Sequence, residues 1–250
     1  FLQQLVPTAN RHYPHQTSLS LLEIDPTALP DVRVENLSGG AEAFPHIYSC
    51  LPWSAVRRVH TLQASADGIW IGCDSAIALF DAFDPVDCLT LTGRWQGYGF
   101  PTGHPLDGLL EATGWYGKEF ITAEEVHPLL FTDSSGKTYK ISPSPWMLQT
   151  ALQIPIPKAD ALKPLFSFGS LPFRTEHSQA RLRMMAHRSS VSASMNNDRL
   201  PVHDIIKQID ADTLLGWMDC KGFTAPFFFV LVRESSLYPN KQLWNPAARC

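Results

Sequence analysis

Apolar and polar positions alternate with period two through much of the C-terminal half. Residues 180–186 set Leu182 and Met184 against Arg181 and Arg183, and residues 191–195 alternate with serines. Residues 213–221 and 227–232 form a last pair, joined by the turn at 222–226. Successive strand side chains point to opposite faces, so these four runs predict strands of a mostly antiparallel meander. Residues 89–99 (LTLTGRWQGYG) predict a further strand, with Gly93, Gly97 and Gly99 marking bends or close backbone approach, as where a sheet curls. Residues 126–131 and 137–141 predict two more, around the turn at 133–136.

Helical spacing is rarer. Ile77, Leu79, Phe80 and Phe83 suit a short amphipathic helix over 75–83 that Pro85 stops. Asp107 is placed to cap a second helix over 109–117, with Gly117 as its C-terminal stop. From 142 to 172, Pro143, Pro145, Pro155, Pro157, Pro164 and Pro172 interrupt apolar residues such as Trp146 and Phe166, which suits short helices and turns lidding a pocket. Residues 1–65 are rich in Pro, Ser and His, with one short alternation, Val32-Arg33-Val34-Glu35. The expected organisation is therefore an extension wrapping the body (1–65), a first β segment (66–141), a second that completes the same sheet (142–234) and a tail (235–250).

Composition narrows the classes. The 250 residues carry 20 Lys and Arg against 24 Asp and Glu, a net charge of −4 with pI near 6.1. That sign is wrong for a general nucleic-acid binder, which needs a basic face. Apolar residues are 44% of the chain, too many for a disordered one. The longest apolar run, 225–232, falls far short of the roughly 20 residues of a membrane helix. The five cysteines (Cys50, Cys73, Cys88, Cys220, Cys250) form no CxxC pair, and no basic leader precedes an apolar run, so the expected compartment is the cytoplasm. The single sequon at Asn36 is what chance supplies.

Gly93-Arg94-Trp95-Gln96-Gly97 spells G-x-W-x-G. It is followed by the block 101–111 (PTGHPLDGLLE), then 114–118 (GWYGK) and 127–131 (HPLLF). Further on stand 181–195, 210–219 (DADTLLGWMD), Lys221-Gly222 and 226–230. This ordered set resembles the GXWXG protein family with its C-terminal companion domain of unknown function. The resemblance covers about two-thirds of the chain and implies no reaction. G-x-W after a short helix is also similar to the calycins (lipocalins, fatty-acid-binding proteins, nitrobindin-like barrels), where such a Trp closes one end of a barrel. The implied fold is mostly β: a calycin-like antiparallel barrel or strongly curled sheet, with one or two helices and a Pro-rich lid, and a ligand in its mouth.

Several ionisable residues stand inside apolar blocks. His104 and Asp107, three apart, either form an acid/base dyad at a pocket mouth or serve the loop and the helix cap. Tyr116 and Lys118 either steady an oxyanion or sit at a helix end. His127 opens a strand. Asp219 and Lys221 share a face with Trp217, and an inward face would bury both charges. Trp95, Phe100, Trp115, Trp217, Phe227 and Phe229 are the expected aromatic lining. His203-Asp204 reads as a helix start or loop. Metal binding by His12 and His15, or by His104 with His127, is weakly supported, and no Walker, dinucleotide, HExxH or GxSxG motif is present, so no cofactor is expected. The expected activity is that of a cofactor-independent isomerase, cyclase or lyase of a biosynthetic pathway, acting by acid/base catalysis on an apolar small molecule. A carrier or sensor of a hydrophobic ligand is the alternative, and a module that docks a partner through 1–65 the third. The sequence leaves a homodimer open.

Overall fold

The computed structural model describes residues 18–36, 44–65, 68–142, 144–145 and 162–234. His12, His15, most of the Pro-rich stretch and the tail at 235–250 lie outside the described residues. The chain divides into two compact units, Phe1–Ser75 and Ala76–Cys250.

The first unit holds a three-stranded antiparallel sheet in the order β1 (Ser18–Ile24), β4 (Val56–Ser65), β5 (Gly68–Ile71). A separate hairpin pairs β2 (Val32–Glu35), where the sequence alternation predicts a strand, with β3 (Phe44–Ile47). Asp25 caps the single turn at Pro26–Ala28: its carboxylate accepts from the Thr27 amide at 2.9 Å and pairs with Arg57. Those hydrogen bonds, with Thr27 first, hold its pKa at about 2.

The second unit is one curled sheet. After α1 (Cys73–Ala82) and the two-residue β6 (Asp84–Pro85) come β7 (Gly93–Gly99), α2 (Leu109–Thr113), β8 (Trp115–Phe120), β9 (Val126–Thr132) and β10 (Thr138–Lys140). Then follow α3 (Leu162–Gly169), β11 (Ala180–His187), β12 (Ser190–Asn197), β13 (Val202–Asp210), β14 (Thr213–Cys220) and β15 (Phe227–Arg233). Hydrogen bonding runs β9-β11-β12-β13-β14-β15-β7-β8, and β8 pairs back onto β9, so eight antiparallel strands form a closed ring. The seam between β9 and β11 is narrow, a single register pair of Ala180 with Val126. Among the described residues no helix is long and apolar enough to cross a membrane.

Alternation sorts the side chains. Trp95, Leu182, Ala193, Met195, Ile206, Leu214, Phe227, Phe229 and Leu231 belong to one buried cluster on the inner face. On the outer face Phe228 and Trp217 pack against Phe80 of α1, with ring centroids 6.2 and 5.3 Å away. Both faces of β14 and β15 are thus buried, and their residues read as near-continuous apolar runs.

Two elements differ from the sequence expectation. The helix expected over 109–117 ends at Thr113. Gly114 takes φ +80°, and its amide closes the helix on Glu111 and Leu110. Chain beyond that left-handed residue cannot continue the helix, so Trp115–Phe120 becomes β8. Asp107 does not cap the helix either: Gly108 holds that position, and Asp107 Oδ2 accepts instead from the amides of Thr102 and His104. The second difference is β13, expected as a helix start or loop. Its inner positions are Val202, Asp204 and Ile206, and the charge in the middle hid the period of two.

Candidate functional site

The G-x-W-x-G strand builds the site by what it lacks. Trp95, fully buried, donates its indole N–H to the Leu91 carbonyl at 2.7 Å, and the Arg233 guanidinium stacks 4.1 Å over the ring. Arg233 also reaches the carbonyls of Thr90 and Thr92 and the Asp212 carboxylate, so this end of the ring is fixed. Two residues on, a Cβ at Gly97 would overlap the six-membered ring of Trp115. Gly216 of β14 gives the same room to Phe229. The two aromatic rings meet edge to face, 6.0 Å apart, on these glycine seats.

Against them lies Lys118. It is the cross-strand neighbour of Trp95, and its ammonium sits 4.8 Å from the Phe229 ring centre and 5.7 Å from that of Trp115. Lys118 Nζ pairs with Asp204 Oδ2 at 2.7 Å and donates to the Pro128 carbonyl at 3.3 Å. The two side chains are only 6% and 2% exposed. Strands β8 and β13 stand four places apart whichever way the ring is followed. The ion pair therefore crosses the interior.

Burying such a pair costs several kcal/mol per ion before their attraction is counted, so it needs a compensating arrangement. Here that arrangement is incomplete. Asp204 Oδ1 and Trp115 Nε1 are buried with no hydrogen-bond partner among the described residues. Each orphan costs about 1–3 kcal/mol. A buried acceptor, a buried indole donor and an ammonium thus share the interior with two aromatic rings. Cys220 is buried nearby, and burial together with Asp219 and Asp204 pushes its thiol up.

His104 and Phe100 stand by the opposite end of β7 and β15 from Trp95 and Arg233, both buried. The His104 ring is edge-on to Phe223 and Phe227, 4.8 and 5.5 Å away. Its Nδ1 accepts from the Leu106 amide, so a neutral ring carries its proton on Nε2, and burial pushes its pKa down. Asp107 meets the His104 backbone, not the imidazole, so the expected assistance of His104 by the Asp107 carboxylate is not made through a ring nitrogen.

The remaining expected residues scatter. Tyr116, on β8 and not at a helix end, donates to Glu234 and lies under Arg94. His127 is buried beside Glu119, neither ring nitrogen has a hydrogen-bond partner among the described residues, and burial and then Lys140 push its pKa down. Burial works to raise the Glu119 pKa, but Lys140 and Arg94 hold it below the ordinary value. Asp219 and Lys221 are exposed. The inward face expected for them is wrong because Leu214, Gly216 and Met218 hold the inner positions of β14, with Gly216 under Phe229. Trp217 consequently faces α1 and His187, away from the interior lining of Phe227, Phe229 and Trp115. Asp204, read from the sequence as part of a helix start or loop, is the buried candidate that reading set aside; its signal was the spacing Val202-Asp204-Ile206. Among the described residues no group of three His, Cys, Asp or Glu is arranged to hold a metal ion.

This is a β-rich curled-sheet protein with a charged pair at the centre of an aromatic interior. The chain belongs to the GXWXG protein family: that family's model matches residues 78–136, and the model of a domain of unknown function (DUF4334) matches residues 178–233. A third model, a protein of unknown function (DUF952), matches residues 2–59. Among solved structures, a protein from Thermomonospora curvata is 30% identical over 65% of this chain and 89% of its own, with a TM-score of 0.48. No curated protein matches the chain.

Proposed function

We propose that the second unit is an acid/base enzyme, an isomerase, cyclase or lyase, acting on an apolar small molecule inside the strand ring. The observation that carries this reading is the buried Lys118–Asp204 pair, in which Asp204 Oδ1 has no hydrogen-bond partner among the described residues. A purely structural pair would gain from having every lone pair met, and apolar residues of similar volume often hold a core equally well. A carboxylate with a free oxygen in an apolar setting is a proton acceptor. When Asp204 Oδ1 takes a proton from the substrate, the negative charge passes to the substrate, and Lys118 keeps an anionic neighbour throughout. Returning the proton to another carbon completes an isomerisation with nothing consumed. Phe227, Phe229 and Trp115 supply the apolar wall, and His104 closes the far end.

A cytoplasmic location belongs to the same reading, since Cys50, Cys73, Cys88 and Cys220 are all unbridged.

The test begins with denaturing extraction of the purified full chain and mass spectrometry of whatever small molecule it retains. Wild-type protein is expected to convert that molecule or a close homologue. Asp204→Asn is expected to bind it and to lose about 10²–10⁴-fold in turnover, the usual worth of a proton-transfer group. A well-folded Asp204→Asn variant with full turnover would remove the assignment. A ligand bound tightly and released unchanged by the wild type would make the protein a carrier.

A further inference from the structure

Resting on that reading, we infer that the interior is built for one substrate oxygen that becomes an oxyanion, with the Trp115 indole N–H and the Lys118 ammonium as its two donors. The substrate class is then a carbonyl compound with an acidic C–H beside the carbonyl, an enolisable ketone, aldehyde or ester on an apolar frame.

The argument starts from what each polar group in the interior already does. Lys118 Nζ has three hydrogens and two oxygen partners, Asp204 Oδ2 and the Pro128 carbonyl. Its other neighbours are aromatic faces. Trp115 Nε1 is a donor and nothing else, and it is buried with no acceptor among the described residues. Its ring is locked by Gly97 below and Phe229 at its edge. Trp95, in the neighbouring strand, shows the contrast: its indole N–H is spent on the Leu91 carbonyl. Two donors with capacity left and one free carboxylate oxygen make a complementary set. A hydrocarbon would satisfy none of them. An alcohol could accept from both donors and donate to Asp204 Oδ1, but its oxygen gains no negative charge when a neighbouring C–H bond breaks. A carbonyl oxygen accepts two hydrogen bonds through its two lone pairs, and as an enolate it accepts them more strongly.

The step balances. The C–H bond beside the carbonyl breaks, its electron pair forms the C=C bond, and the carbonyl π pair moves to oxygen. The proton passes to Asp204 Oδ1. In a β,γ-unsaturated carbonyl compound the enolate is a dienolate, and reprotonation by Asp204 at its γ carbon re-forms the carbonyl and leaves the α,β-unsaturated isomer. Fixed donors in a dry interior need no reorganisation as the charge arrives, which is what makes such sites effective.

The test uses 4-nitrophenol, whose ionisation mimics the charge transfer and is read by its visible absorbance, with nitrobenzene as a probe of like shape but no proton to give. Wild-type full chain is expected to bind both, and to raise the ionised-to-neutral ratio of bound 4-nitrophenol at least tenfold over the free probe at the same pH. Trp115→Phe should still bind nitrobenzene but lose most of that rise. Because an indole seated on Gly97 is hard to replace, the second variant carries 3-benzothienylalanine at position 115, which keeps the shape and exchanges the N–H for sulfur. Retention of the full rise in that variant overturns the role of Trp115. Binding of nitrobenzene with 4-nitrophenol bound but not ionised overturns the oxyanion site and leaves the apolar interior of the preceding section standing. Failure of both probes to bind the wild type sinks the interior site, and this inference with it.

Discussion

Among the described residues of the second unit two lysines are buried, one on each face of the same sheet. Lys118 lies on the inner face and meets a carboxylate at 2.7 Å. Lys207 lies on the outer face, near Phe80 of α1, and its ammonium meets only the Ser190 hydroxyl at 2.6 Å, with no carboxylate at ion-pair distance among the described residues. Burial pushes the Lys207 amine below its ordinary pKa, against the weaker pull of Asp81 and Asp84. The two sites meet one cost in different ways. Outside, the amine leans toward shedding its proton; inside, a second charge is brought across the ring. The first way is local. The second needs β8 and β13 to arrive at fixed positions on opposite sides.

Removing one partner should expose the difference. Lys118→Met leaves Asp204 buried and alone, and should cost about 3–5 kcal/mol in urea unfolding of the full chain. The double variant with Asp204→Leu should recover most of that loss. A double variant as damaged as the single one would show that the lysine is held by packing and not by its charge. Gly97→Ala should cost about 1–3 kcal/mol by forcing Trp115 off its seat, visible also as a shift in tryptophan fluorescence. Lys207→Met should cost about 1 kcal/mol or less, the worth of one hydrogen bond to a hydroxyl. A loss as large as that at Lys118 would erase the contrast between the two faces.

The smallest effect concerns pH. Burial lowers the pKa of His104, His127 and His187. Below the ordinary imidazole value of about 6.5 the unfolded chain takes up protons that the folded chain refuses. Stability from these residues is therefore complete above about pH 7 and declines as the pH falls toward about 5. Melting temperatures across that range should drop with acid, less steeply in His127→Leu.

The fold was largely legible in the sequence, and the centre of the site was not. Period-two runs at 180–186, 191–195, 213–221 and 227–232 became β11, β12, β14 and β15. In β11 and β12 polar residues separate the apolar ones, so the pattern carries its own orientation. Where a charge takes an inner position, the pattern breaks at the residue of interest. Asp204 interrupts β13, and Lys118 follows Gly117, at which the pairing of β8 with β9 slips. The Asp219 and Lys221 error has the same root: with apolar residues on both faces of β14, alternation could not say which face was inner. The role of the second glycine in G-x-W-x-G was invisible because Trp115, the ring it seats, comes from the neighbouring strand.

The ring joins strands made early to a strand made late. β7 pairs with β15, and all of β8 to β14 lies between them along the chain. During synthesis β7 therefore waits with one edge bare until Phe227–Arg233 has left the ribosome, and Arg233 arrives last to cover Trp95. Exposed edges of this kind invite wrong partners, and pairings distant in sequence form slowly. A nascent chain halted before Phe227 should be a ready client for chaperones, whereas the released chain should not.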